Sequence, residues 1–110
     1  MTGHNLPAPD WPGKVAGEVG HDRIAACLVM DIQCAAHWGV EVLSHVDHVR
    51  QGVEASWEMA MNAYILKVGP ETSDILPVYD ESGESPVTVR TADLEVALRA
   101  WISRLSESPD

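Results

Sequence analysis

Hydrophobic and polar positions change period several times along this chain, and each change marks an element. From Ala26 to Gln33, Leu28, Met30 and Ile32 alternate with Val29, Asp31 and Gln33. A period of two predicts a strand, although the alanines flanking the run also suit a helix. Residues 37–51 follow the helical period: Val42, Leu43, Val46, Val49 and Val53 fall on one side, while Glu41, Ser44, His45, Asp47, His48 and Gln51 occupy the other. Gly52 is placed to end that helix, and Arg50 complements its C-terminal dipole. Residues 53–68 admit two readings. As a helix, Val53, Trp57, Ala60, Met61, Tyr64 and Val68 share a face; as a hairpin, Trp57, Met59 and Met61 alternate with Glu58, Ala60 and Asn62, and Tyr64, Leu66 and Val68 follow after a turn near Asn62. Short runs at 74–79 and 86–90 predict strands separated by the turn-rich stretch 80–85, with Pro77 placing its strand at an edge. The chain then returns to the helical period. Leu94, Ala97, Leu98, Trp101, Ile102 and Leu105 form a stripe, Thr91 is the expected N-cap, and Glu95 and Arg99 are spaced to pair on the outer side.

These elements predict an α+β fold, a mainly antiparallel sheet of four or five short strands with helices 37–51 and 92–105 on one face. Residues 1–22 lack such periodicity and hold Pro7, Pro9, Pro12, Gly3, Gly13, Gly17 and Gly20. They predict a flexible or loosely docked arm, which Trp11 is able to anchor, ahead of one α+β domain over residues 23–106. With no Phe in the chain, the core must come from aliphatic residues, Met and Trp; Trp38, Trp57 and Trp101 lie on or beside apolar stripes. Trp11 and Tyr79 stand where exposure is more expected and either could act as an interface anchor, but for single aromatics core or loop docking is the favoured reading.

Charge narrows the function. Seventeen acidic against seven basic residues give −10, and from Glu54 to Glu84 seven acids face Lys67 alone. Such a field repels nucleic-acid backbones and favours a basic protein partner, or serves solubility. The chain shows neither a signal-peptide pattern near its start nor an apolar run long enough to span a membrane, so a cytoplasmic protein is expected. Cys27 and Cys34, seven apart, read as buried or free thiols.

Catalytic and metal chemistry find little support. Cys34, His37, His45 and His48 are zinc-ligand types, but eleven helical steps of roughly 1.5 Å separate His37 from His48, too far for one ion. Glu41, His45 and His48 share a solvated helix face, so no metal and no cofactor are expected; a small enzyme or metal binder using His45 and His48 is the lesser alternative. No nucleotide-binding, zinc-protease or serine-hydrolase motif occurs, and a Cys27 or Cys34 nucleophile is less expected than inert thiols.

Trp57-Glu58, Asn62-Ala63-Tyr64, Asp80-Glu81 and Leu94 through Trp101 together resemble a pattern in small bacterial immunity proteins of contact-dependent growth inhibition and related polymorphic-toxin systems. The resemblance spans residues 53–105, and Met61 stands where that pattern commonly carries glycine. It implies the hairpin reading of 55–68, a sheet flanked by two helices, and no catalytic residue. The expected function is an acidic protein-binding module that neutralises a basic toxin, with Glu54, Glu58, Asp74, Asp80, Glu81 and Glu84 as the expected contacts. The alternative is an accessory or structural binding subunit.

Overall fold

The computed structural model describes residues 8–79 and 83–107. Helix α1 spans Val19–Cys27 and runs into a π-helical turn, Leu28–Ile32; α2 spans Ala36–Arg50. Four strands follow, β1 (Trp57–Ala60), β2 (Tyr64–Val68), β3 (Thr72–Pro77) and β4 (Val87–Arg90), and α3 spans Thr91–Glu107. The strands form an antiparallel meander in the order β1-β2-β3-β4. The helices pack against it, which gives an α+β fold.

The strand expected at 26–33 is helical. Ile24, Cys27, Leu28, Asp31 and Ile32 are all buried, whereas Met30 is 50% exposed. Their spacing is i, i+3, i+4, i+7, i+8, one face of a helix. Alternation misled because Asp31, counted as outward, is inward, and Met30 is the reverse. Glu18 starts α1 by accepting the His21 N–H at 2.9 Å. The Gln33 N–H reaches back five residues to the Leu28 carbonyl (2.8 Å), closing the π turn. Gln33 then reverses the chain at φ 56°, and its carbonyl accepts the Trp101 indole N–H at 2.9 Å.

Helix α1 begins inside the stretch expected as an arm. Ahead of it Trp11 is buried rather than exposed, edge-on to His21 with ring centroids 5.7 Å apart. Tyr79 is 63% exposed. Helix α2 buries Val42, Val46 and Val49, with Gly39 beside Ile102 of α3, where a Cβ would lie 3.0 Å from the Ile102 side chain. Helix α3 buries Leu94, Ala97, Leu98 and Trp101; Trp38 and Trp57 are only partly covered.

Residues 57–68 form the hairpin. Its periodicity is ambiguous in isolation, and β3, which pairs along the whole of β2, supplies what local sequence lacks. Tyr64, Leu66, Val68, Ser73, Ile75 and Val89 point into the core, while their neighbours point away. Two expectations for this region fail. Pro77 lies on an inner strand, tolerated because the β3–β4 pairing ends at Ile75. Thr91 begins α3, but its hydroxyl donates to the Gly69 carbonyl (2.7 Å) and meets the Ser73 hydroxyl (2.7 Å), tying α3 to the β2–β3 turn. Among the described residues, no helix is long and apolar enough to cross a membrane.

Candidate functional site

The outward face of the sheet is built from residues that alternate with the core positions. Register places Glu58, Lys67, Asp74 and Thr88 in one cross-strand row, and Ala60, Ile65 and Leu76 in the next. Ile65 and Leu76 are partly exposed. Asp74 accepts the Thr88 hydroxyl at 2.6 Å, and Lys67 stands between Asp74 and Glu58. A third pair, Thr72 opposite Arg90, extends the face. This surface is therefore an apolar patch at one end of the sheet, beside a row of mixed charge.

The expected acidic contacts do not gather in one place. Glu58 and Asp74 share the outer row. Glu54 lies between α2 and β1, where its carboxylate meets Nδ1 of His45 (2.9 Å) and of His48 (3.3 Å). The hydrogen bond with His45, helped by His48, holds Glu54 below the ordinary glutamate range. Glu41 approaches the other nitrogen of His45 (3.5 Å), and that imidazole stacks on Trp57 with centroids 4.4 Å apart and planes 5° off parallel. Glu84 accepts the Tyr64 hydroxyl at 3.0 Å and lies 4.0 Å from Arg23. Asp80 and Glu81 lie outside the described residues.

Two buried charged groups escaped the sequence reading. Asp31 accepts the Ala63 N–H at 2.7 Å, so the π turn holds the β1–β2 turn. Burial pushes its carboxyl upward, more than the N–H groups of Ala63, Asn62 and Tyr64 and the Cys27 thiol pull it down. Glu95, expected on the outer side, is 8% exposed and holds both Arg50 of α2 and Arg99 of its own helix. Burial pushes the Glu95 carboxyl up, but the two guanidinium groups outweigh it and keep it below the usual range. Neither role is visible locally, because each depends on an element distant in sequence.

Arg23, Tyr64 and Glu84 engage one another, as do Cys27 and Asp31. Arg23 donates to the Ile75 carbonyl (3.0 Å) and lies over the Tyr64 ring, 5.3 Å from its centroid. Burial, then Glu84, pushes the Tyr64 hydroxyl up to about 12. Cys27 donates to Asp31 over 3.7 Å, and burial followed by that carboxylate drives its thiol well up, the opposite of what a nucleophile needs. Cys34 is exposed. Among the described residues, no group of three or more His, Cys, Asp or Glu is arranged to hold a metal ion.

No family model, no curated protein and no solved structure matches this chain.

Proposed function

We propose that this protein is a binding module of immunity or antitoxin type, which neutralises a basic protein by docking it on the open face of the sheet. The observation that carries this reading is the outward face itself. Ile65 and Leu76 pair on the two inner strands at one end of it, and Glu58, Lys67 and Asp74 form the neighbouring row. An apolar patch beside charged, solvated residues is the composition of a protein interface. The net charge of −10 adds a long-range field that brings a cationic partner in faster. Glu54 and Glu84, held by His45, His48 and Tyr64, contribute to that field rather than to close contacts.

Co-expression with the product of the gene immediately upstream tests the reading. Wild-type protein should protect the cell from that product and bind it. Ile65→Lys and Leu76→Lys should abolish both while remaining folded by circular dichroism. A product that is harmless and unbound would move the accessory-subunit reading ahead.

A further inference from the structure

We propose that the free edge of β1 takes an added strand from the basic partner, an inference that rests on the proposed function and extends it from the face of the sheet to its rim. The Met61 N–H donates to the Tyr64 carbonyl at 2.9 Å. Antiparallel ladders alternate, so this bond and the register direct the backbone groups of Trp57, Met59 and Met61 toward β2. The N–H and C=O of Glu58 and Ala60 therefore face away from it. Among the described residues, no strand lies beyond β1 on that side. Both residues are exposed, and the edge carries no proline, lysine or bulge of the kind that discourages pairing.

Side chains define the occupant. On an added strand, the residue opposite Glu58 would have its Cβ about 4.5–5.5 Å away, where a lysine or arginine is favoured and an acid is not. Its neighbour would point to the helix side, beside Met59, which is 37% exposed, and should be apolar. The edge thus selects an extended segment alternating basic and apolar residues. A second copy of this chain fits poorly. Pairing centred on Glu58 opposes two carboxylates. Pairing centred on Met59 avoids that, but still joins two chains of −10 through four residues each, far below the roughly 1,200 Å² of a stable interface.

The probe is a synthetic peptide of alternating valine and lysine, added to the intact protein and followed by amide hydrogen exchange and NMR. Expected are slower exchange at the Glu58 and Ala60 amides and an affinity at least about tenfold weaker for the same peptide with glutamate in place of lysine. Ala60→Pro removes an outward N–H without touching the β2 ladder, and should lose the peptide while keeping its melting temperature near wild type. If that variant misfolds, N-methylating the peptide backbone at the pairing positions should cause the same loss. Absence of protection at Glu58 and Ala60, or binding indifferent to both backbone changes, overturns the proposal. Growth protection that survives Ala60→Pro but not Ile65→Lys would discard the edge and leave the face reading standing.

Discussion

Asp31 joins the N-terminal helical unit to the sheet, because its carboxylate accepts the Ala63 amide where β1 turns into β2. Asp31→Ala leaves buried backbone donors unpaired and should cost about 1–3 kcal/mol in denaturant unfolding. Asp31→Asn retains an acceptor, so it should cost less. The pH dependence follows from the direction of the shift. The folded carboxyl holds its proton more tightly than the unfolded one, so its contribution is full below the ordinary aspartate value of 3.8 and is lost as pH rises through the elevated value. Wild type should therefore gain stability relative to Asp31→Asn as pH falls through that window. Glu54 and Glu95 act in the opposite sense: their contributions are present above 4.5 and disappear as pH falls through their lowered values. At the alkaline end, Tyr64 stabilises fully below pH 10, and this is lost as pH rises through about 12; tyrosinate absorbance should show the late titration. Of these groups, only the Glu95–Arg99 pair is legible locally. An aspartate in an alternating run reads as solvent-facing, and its partners stand 32 residues downstream.

At the level of elements, legibility tracked how far periodicity alone decides conformation. Helices α2 and α3 repeat an apolar stripe over 15 and 17 residues, long enough for the period to dominate, and both were read nearly end to end. Periodicity leaves the hairpin at 57–68 open because strands of four and five residues hold too few repeats, and pairing with β3 settles their conformation. The strand reading of 26–33 fails because Leu28 and Ile32 fit both a strand face and a helix face. The outer face of the sheet became visible only with the register that aligns Ile65 with Leu76. Element packing is testable through α3. Trp101 is 1% exposed and donates to the Gln33 carbonyl at 2.9 Å. Trp101→Ala should cost roughly 3–5 kcal/mol, enough to unfold a domain of this size, while Trp101→Phe keeps most of the packing and loses the hydrogen bond. Glu95→Ala removes the ion pair that joins Arg50 of α2 to α3. Arg50 and Arg99 are 41% and 56% exposed on their side chains and can turn to water, so the cost should be about 1–2 kcal/mol rather than that of a sealed ion pair.

At the scale of the whole molecule, the sequence correctly showed the charge excess but not its distribution. Among the expected contacts, Glu54 and Glu84 are drawn into internal partnerships, and Lys67 separates Glu58 from Asp74. In the proposed binding role, the acidity therefore acts mainly as a field. Association with a basic partner should be fast at low salt and slow as the Debye length falls from about 10 Å at 0.1 M to about 3 Å at 1 M. Dissociation, governed by contacts at the face, should change much less. Stopped-flow rates at the two salt concentrations check both. Zero-length carbodiimide cross-linking of the complex isolated from native cells addresses the face itself, because it joins partner lysines to carboxylates in direct contact. Cross-links concentrated at Glu58 and Asp74, with few at Glu18, Asp22 and Glu41 on the helical side, are the result predicted for docking on the open sheet. Recovery of no complex, or cross-links confined to the helical side, would contradict it.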